Sequence, residues 1–182
     1  MPGPDQMPAD DAAGLAEKLN ALARAAGWAV HCDAAFQFKN ANLRAMHQLW
    51  LGKSAAKLPA RGDFSMRELK SFLPHLVVLD IVREAGRKRY LHRYVGMEIV
   101  RKFGEMTGRF IDEVLPTPLL PKTLTYFDAV AESGLALRIV TEFQFTPVNH
   151  LECEMLIMPL ADNGVMPDRL MSVSYFKTQK TG

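Results

Sequence analysis

Three residue types that bind metal ions follow one another at His31, Cys32 and Asp33. Adjacent side chains rarely point at one ion, so the sequence predicts a loop here, with a metal site as the less favoured alternative. The histidines are scattered along the chain, at His31, His47, His75, His92 and His150. Folding alone would have to bring two of them together to bind a metal. We therefore expect no metal site.

Motifs that carry enzymatic chemistry are missing from the sequence. Gly96, Gly104 and Gly108 do not follow the spacing of a phosphate-binding loop. The chain has neither the GxSxG motif of serine hydrolases nor the HExxH motif of zinc proteases. We therefore predict no catalytic residue and expect a protein that is not an enzyme.

The charges of the chain are nearly balanced. Its 22 lysines and arginines and 20 aspartates and glutamates give a net charge of +2. This balance argues against a nucleic-acid partner, because nucleic-acid-binding proteins neutralise phosphates with an excess of positive charge. The densest basic cluster lies at 83–93 and predicts a solvated turn, with an anion-binding patch as the alternative.

Cysteine usage and hydrophobicity indicate the compartment. The chain has two cysteines, Cys32 and Cys153, without the spacing of a metal site, as in reduced cytoplasmic proteins. The acidic, proline-bearing N-terminus is unlike a secretory signal. No apolar stretch has the length of a membrane span. We expect a cytoplasmic protein with no membrane partner.

The N-terminal region predicts a helix after a short tail. Residues 1–10 are expected to be disordered, and the helix then extends to Gly27. Three leucines recur at helical spacing on one side of it, at Leu15, Leu19 and Leu22. Their stripe is too narrow for a buried helix and too regular for a linker. It predicts a contact in a homodimer or a cover for the sheet.

A second helix is expected at about 39–51, where one face carries Leu43, Met46, His47 and Trp50. Further along, Ser65 is followed three residues later by Glu68, which is the pattern of a capping box and predicts a short helix. The sequence therefore divides into a helical extension at 11–65 and a second domain at 66–178.

After His75 the hydrophobic period changes from that of helices to that of strands. Two strands are predicted, joined by a hairpin turn at 84–87. A longer helix is predicted at 121–133, with Lys122 at its surface. Three segments of alternating polar and apolar residues follow it and predict an antiparallel meander of strands. The fold class is α+β: a five-stranded antiparallel sheet with helices on one face, preceded by an N-terminal helical extension.

Short segments separated by glycines lie between the second strand and the longer helix. The strand ends at Gly96, a short helix ends at Gly104, and Gly108 begins another segment. Glycine adopts left-handed backbone angles without the penalty of a Cβ atom. We therefore expect left-handed angles at all three glycines.

The pattern of these segments consists of Tyr94-Val95-Gly96, Phe103-Gly104, Gly108-Arg109-Phe110 and Glu113. In this order it resembles the PAS sensory domain. More narrowly, the chain resembles stand-alone PAS proteins of alphaproteobacteria, which share the Trp50 helix, Leu58-Pro59-x-Arg61-x-Asp63 and Leu73-Pro74-His75. The resemblance covers about residues 45–176. It implies a PAS fold and a role in signal regulation.

The resemblance also bears on cofactors. Flavin-thiol photoreceptors of this superfamily carry an Asn-Cys-Arg-Phe motif near the longer helix, and the sequence has none. Haem sensors commonly carry a histidine on or near that helix, yet residues 121–134 contain none. We expect neither flavin nor haem, and the sequence names no other cofactor.

The space between the sheet and the helices of such a fold is either a filled core or a small-molecule pocket. The residues expected there are Tyr90, His92, Arg93, Phe103, Phe110, Phe127, Ile139 and Met155. Arg93 is expected to pair with a carboxylate, because a buried guanidinium needs a partner, or else to hold an anionic ligand. Its candidate partners are Asp80, Glu142 and Glu154.

The expected function is that of a single-domain PAS sensory or adaptor protein that acts by contact with a protein partner. A small ligand in the pocket would then be part of the signal. The chain ends six residues after Phe176, so we expect the signal to pass to another protein. The alternative is a small-molecule-binding protein or an enzyme that uses the pocket near Arg93 and His92.

Overall fold

The computed structural model describes residues 9–146 and 149–180, and the strands of this part of the chain form one antiparallel sheet. The strands are β1 (Val30–Asp33), β2 (Leu76–Glu84), β3 (Arg87–Val95), β4 (Leu137–Thr146), β5 (Asn149–Leu160) and β6 (Arg169–Lys180). Their order across the sheet is β1-β4-β5-β6-β2-β3. The predicted meander of β4, β5 and β6 is therefore confirmed.

Helices pack against this sheet. They are α1 (Ala9–Ala26), α2 (Ala41–Lys53), α3 (Met66–Leu69), α4 (Met97–Phe103), α5 (Ile111–Val114) and α6 (Leu120–Ser133). α3 begins at the capping box of Ser65 and Glu68, and α6 ends at Gly134, whose φ of 68° is left-handed. The predicted α+β class is confirmed.

One face of the sheet forms a core with α4, α5 and α6. From β2 it receives Val77, Leu79 and Ile81, and from α6 it receives Phe127 and Val130, all of them buried. The alternating positions of β2 face the other side, as the two-residue period of a strand requires. We call this core, formed between the sheet and α4, α5 and α6, the helical-face core. It positions the candidate site.

Helix α2 covers the other face of the sheet. α2 buries the four residues predicted for its inner face, namely Leu43, Met46, His47 and Trp50. They pack on a second core that includes Leu156 and Met158 of β5. The indole Nε1 of Trp50 also donates to the carbonyl oxygen of Pro159 at 3.1 Å. Helix α2 on one face and helices α1, α4, α5 and α6 on the other thus enclose the sheet from both sides.

The sheet has six strands where five were predicted, because β1 occupies a segment that was predicted as a loop. β1 has four residues, too few to display an alternating pattern in the sequence. Asn20 of α1 closes its outer edge: the side chain donates to the Cys32 carbonyl at 3.0 Å and accepts from the Cys32 N–H at 2.7 Å. The backbone groups of Cys32 on this edge strand are therefore satisfied within the chain.

The glycine-separated segments agree with the prediction at two of the three glycines. Gly104 and Gly108 have φ angles of 84° and 78°, in the left-handed region. The prediction for Gly96 was wrong, since its φ is −67°. A Cβ atom at Gly96 would lie 2.3 Å from the carbonyl oxygen of Leu73 and 2.4 Å from that of Pro74. Close backbone contact, not a left-handed angle, is what requires glycine there.

The predicted tail at 1–10 lies outside the described residues, apart from Ala9 and Asp10, which begin α1. Within the described ranges, the structure has no helix long and apolar enough to cross a membrane.

Candidate functional site

A cavity of about 90 Å³ lies between the sheet and the helices α4, α5 and α6. Its apolar lining residues are Val77, Leu79, Ile99, Phe103, Met106, Ile111, Leu115, Leu119, Phe127, Phe143, Met155 and Phe176. The polar ones are His92, Thr123, Ser172 and Ser174. None of these lining residues is an aspartate, glutamate, lysine or arginine. Such a wall suits an uncharged molecule, because a buried ion needs a partner.

The glycine-separated segments build one wall of the cavity. Ile99 and Phe103 reach it from α4, and Ile111 reaches it from α5. α4 begins directly after Gly96, where the chain passes close to the carbonyl oxygen of Leu73. The backbone contact at Gly96 therefore fixes where α4 starts and how its inner side meets the sheet.

His92 of β3 has the best-defined hydrogen-bonding state among the polar lining residues. Its side chain is buried, and its Nδ1 lies 2.9 Å from the carbonyl oxygen of Arg109. A carbonyl oxygen only accepts, so Nδ1 carries the hydrogen and donates it. Burial lowers the pKa of His92, although the bond to Arg109 and the charge of Glu105 oppose this. The neutral ring leaves Nε2 as a hydrogen-bond acceptor.

Two serines of β6 and one threonine of α6 supply hydroxyl groups. Ser172 and Ser174 are buried and face the cavity, while Val173 between them belongs to the opposite core. The hydroxyl of Thr123 donates to the carbonyl oxygen of Leu119 at 3.0 Å. The two serines therefore supply the hydroxyl groups of the sheet side, and Thr123 is committed to its own helix.

Half of the predicted pocket residues meet in the cavity wall, namely His92, Phe103, Phe127 and Met155. Tyr90 and Ile139 are buried in the same core without lining the cavity. Phe110 lies outside it, where the guanidinium of Arg89 stands 3.7 Å from the centre of its ring. The cavity wall therefore contains four of the eight residues predicted for the pocket, and a ligand in it stays a prediction.

Arg93 also lies outside the cavity. Its neighbour His92 lines the cavity, and successive side chains of a strand point to opposite faces. The Arg93 side chain is 63% exposed and forms an ion pair with Asp80. Asp80 also accepts from Nε of Arg169 at 3.1 Å. The predicted pairing of Arg93 with a carboxylate is confirmed, and Asp80 is the partner.

Tyr90 ties β3 to α6. Its hydroxyl donates to Oδ1 of Asp128 at 2.5 Å, and its ring meets that of Phe127 edge-on, with centres 5.6 Å apart. Burial, with the hydrogen bond and charge of Asp128, raises the pKa of Tyr90 well above its ordinary range. Tyr90 therefore supports the cavity wall from behind, through Phe127.

The basic cluster at 83–93 surrounds the hairpin turn, as predicted. Most of its charge is matched: Lys88 pairs with Asp128 and Glu132 at 3.0 and 2.7 Å. Arg89 pairs with carboxylates of α5 at 2.9 and 3.0 Å. Cations that already have carboxylate partners disfavour the alternative of an anion-binding patch.

Lys122 is a buried cation, although the sequence predicted it at the surface. It is 9% exposed, its Nζ donates to the Thr141 hydroxyl at 3.2 Å, and it lies 4.9 Å from the centre of the Phe143 ring. Burial lowers the pKa of Lys122. The signal that could have found it is spacing, because Lys122, Tyr126 and Val130 recur every four residues on the buried side of α6.

The trio of His31, Cys32 and Asp33 is divided between the two faces of β1. His31 is exposed and Cys32 is buried, and burial raises the pKa of Cys32 to about 12. Asp33 accepts from Nη1 of Arg138 at 3.1 Å. In residues 9–146 and 149–180 no group of three metal-binding side chains could hold an ion.

The leucines of α1 differ in exposure. Leu19 is buried and Leu15 packs against the helical-face core, so these two cover the sheet. Leu22 is 44% exposed and is the member of the stripe that a partner could contact. The homodimer prediction therefore depends on Leu22.

No protein-family model matches this chain, and no curated protein matches it. Solved structures that resemble it include the LOV protein of Rhodobacter sphaeroides, at 9% identity and a TM-score of 0.42, which covers 62% of this chain and 68% of that one. An RsLOV variant has 8% identity and a TM-score of 0.41, covering 61% and 66%. An RNA-binding light-oxygen-voltage receptor has 14% identity and a TM-score of 0.39, covering 64% and 35%. At these values nothing about ligand, light or partner is transferred to this chain.

Proposed function

We propose that this chain is a PAS-type sensory or adaptor module that binds a small molecule and passes the signal to a protein partner by contact. The observation that carries the proposal is the cavity of about 90 Å³ beside the helical-face core, a cavity that is partly open to the surface. Protein interiors are close-packed, with few voids larger than a water molecule. A space of about three water volumes with polar groups in its wall favours a site for a very small ligand over a filled core. The resemblance of Tyr94–Glu113 to PAS sequences supports the same role.

Binding is favoured over catalysis because the cavity wall lacks a set of reactive groups. His92 is the one ionisable side chain among the lining residues, and its Nδ1 already donates to Arg109. General acid–base catalysis needs a group placed against the reacting atom, usually with a second group that activates or stabilises it. Arg93 does not supply that second group, since it pairs with Asp80 outside the cavity.

The helix α4 offers a route from the cavity to the surface. Its inner residues Ile99 and Phe103 line the cavity, while Met97 at its start is 62% exposed. Tyr94, just before it, is 37% exposed. A ligand that shifts α4 would change the surface that Tyr94 and Met97 present. We therefore place the partner contact at these two residues.

A protein is the favoured class of partner, in the cytoplasm. The net charge of +2 is too small to hold a nucleic acid by neutralising its phosphates. Basic side chains beside the hairpin turn, such as Lys88 and Arg89, already have carboxylate partners. Cys32 and Cys153 are both free thiols, as expected in a reducing compartment.

The ligand part of the proposal is tested by native mass spectrometry and an absorbance scan of the purified protein. Wild type should retain a small molecule in one-to-one ratio, and Ser172→Leu, which adds an apolar side chain to the cavity, should lose it. Ser71→Leu makes the same exchange at an exposed position and should retain the molecule. A wild-type protein that carries no small molecule, and gains none from a cell extract, would speak against ligand binding.

The contact part is tested separately. Met97→Glu should abolish capture of the partner by the tagged protein. Met66→Glu is the matched control, because Met66 is 60% exposed and lies on α3, away from α4 in the sequence. Equal capture by both variants would mean that the partner does not bind at α4.

A further inference from the structure

We infer that the cavity selects a small uncharged molecule whose hydroxyl or N–H group donates a hydrogen bond to Nε2 of His92. The inference rests on the proposed function, because it specifies the ligand of the same cavity. It is carried by the state of the His92 ring, the size of the cavity and the charge of its wall.

The state of the ring follows from its contact with the backbone. Nδ1 of His92 lies 2.9 Å from the carbonyl oxygen of Arg109 and must donate to it. A neutral imidazole has one hydrogen, so Nε2 carries a lone pair and can only accept. No group of the described residues donates to Nε2. Nε2 is not among the buried polar atoms that lack a partner, so it faces accessible space, and His92 lines the cavity. A ligand donor in the cavity would form a hydrogen bond with this acceptor.

The size of the cavity limits the ligand to a few atoms. Its volume is about 90 Å³. An engineered protein cavity of about 150 Å³ accommodates benzene, which has six carbon atoms. Scaled by volume, the present cavity holds about four non-hydrogen atoms without displacing its wall, and a ring of five needs a small displacement.

The wall also limits the charge of the ligand. Phe103, Phe143 and Phe176 form an aromatic cluster at one part of it, with ring centres of Phe103 5.7 Å from each of the other two. No lining residue offers a full charge to an ion. Desolvating an anion there would cost more than hydroxyl groups return. The aromatic cluster can pack against a flat apolar ligand, and Nε2 of His92 can accept one hydrogen bond from that ligand.

The test uses three probes of similar size: pyrrole, which has an N–H donor, furan, which lacks it, and propionate, which is an anion at neutral pH. Binding to the full chain is measured by titration in two-dimensional NMR. Pyrrole should bind about tenfold more tightly than furan, as expected for one hydrogen bond in a buried site. Propionate should not bind in the cavity. Equal affinity for pyrrole and furan would overturn the role of His92 while leaving the cavity as a ligand site.

Variants assign the preference to the ring nitrogen. His92→Phe keeps an aromatic ring without an acceptor, so pyrrole and furan should then bind equally. His92→Gln replaces Nε2 by an amide oxygen and should restore the preference for pyrrole. His31→Phe makes the same exchange at an exposed position and should leave the preference unchanged. A pyrrole preference that survives in a folded His92→Phe protein would overturn the inference. If none of the probes binds to wild type, the ligand part of the proposed function fails as well.

Discussion

Nη2 of Arg138 lies 2.6 Å from Oε1 of Glu154, and the two side chains are 5% and 7% exposed. Asp33 of β1 joins the pair at 3.1 Å from Nη1 of Arg138. Glu154 in addition accepts the backbone N–H groups of Lys39 and Asn40, both at 2.9 Å. A buried ionic network thus connects the helical extension to the sheet. Its energetic role depends on complete pairing, because a buried charge that loses its partner is costly.

Glu154→Leu should destabilise the protein by about 3–5 kcal/mol, because it leaves Arg138 with Asp33 alone and frees two backbone donors. The measurement is the free energy of unfolding in urea. Hydrogen exchange should increase most at Lys39 and Asn40. Glu142→Leu is the matched control, since Glu142 is exposed on the neighbouring strand. The double variant Arg138→Leu with Glu154→Leu should recover part of the loss, and a double variant that is no more stable than Glu154→Leu would contradict the network.

Gly96→Ala should destabilise the protein more than Gly104→Ala. At Gly96 the new Cβ would lie 2.3 Å from a backbone oxygen of Leu73, so the backbone has to move. At Gly104 nothing lies within 4 Å, and the cost is that of a positive-φ, extended-ψ conformation that is essentially restricted to glycine, about 1–3 kcal/mol. Urea unfolding measures both.

Gly62→Ala serves as the control for both glycine variants, because its Cβ would meet nothing within 4 Å and its φ is not positive. It should change stability by less than about 1 kcal/mol. Hydrogen exchange of 97–103 should increase in Gly96→Ala before the sheet is affected. If Gly96→Ala and Gly104→Ala cost the same, the contact with Leu73 does not fix the start of α4.

Deleting residues 1–27 should make the protein aggregate. The deletion removes Leu15 and Leu19 from the core and removes Asn20, which closes the edge of β1 at Cys32. Leu19→Ala alone should cost about 2–5 kcal/mol, as for a buried leucine. Light scattering measures the aggregation of the truncated protein, and urea unfolding measures the stability of Leu19→Ala. A truncated protein that is soluble and as stable as wild type would show that α1 is dispensable for the core.

Leu22→Lys separates the homodimer prediction from the covering role of α1. Leu22 is 44% exposed, so a lysine there should leave the stability of the subunit unchanged. If α1 forms a dimer contact, the charged side chain should shift the mass measured by light scattering towards that of one chain. Leu51→Lys, at a residue 41% exposed on α2, is the control. A wild-type protein that is already a single chain in solution would refute the homodimer.

The sequence predicted those elements whose signals are local. α2, α6 and the meander follow from periodicity over ten or more residues, and the cap at Ser65 follows from a short motif. β1 was missed because its pairing with β4 is a tertiary contact of four residues. The region of the cavity was predicted from the order of helices and strands. Which of two adjacent residues lines it depends on the face of the sheet to which each side chain points. That is why His92 lies in the cavity wall and Arg93, its neighbour in the sequence, lies outside it.

Buried charges were the other feature that the sequence concealed. Arg138 alternates with Leu137 and Ile139, which is the pattern of a strand with one solvated face. Its face is covered instead, because the extension places Asp33 beside it. Asp33 and Arg138 are 105 residues apart in the sequence. A distant segment therefore decides whether the polar face of this strand is solvated or paired.

The last prediction concerns the buried ammonium group of Lys122. Burial lowers the pKa of Lys122 in the folded protein below its ordinary value of 10.5, which is the reference for the unfolded chain. Below both pKa values lysine is charged in both states, and the folded state bears the full cost of burying the charge. As the pH rises through the folded pKa and then 10.5, the cost disappears, so this residue makes the protein more stable at higher pH.

Lys122→Met keeps the apolar stem and removes the charge. The variant should therefore be more stable than wild type at pH 7. The difference in stability should shrink as the pH rises to 10.5 and above. There the hydrogen bond from Lys122 to Thr141 also favours wild type. Urea unfolding at pH 7, 9 and 10.5 measures the difference. Lys18→Met on the exposed side of α1 corrects for the general effect of removing a lysine. A stability difference that stays constant across this pH range would mean that Lys122 has the same pKa in the folded and unfolded chain. A variant less stable than wild type at pH 7 would mean that the ammonium group stabilises the fold through Thr141 and Phe143.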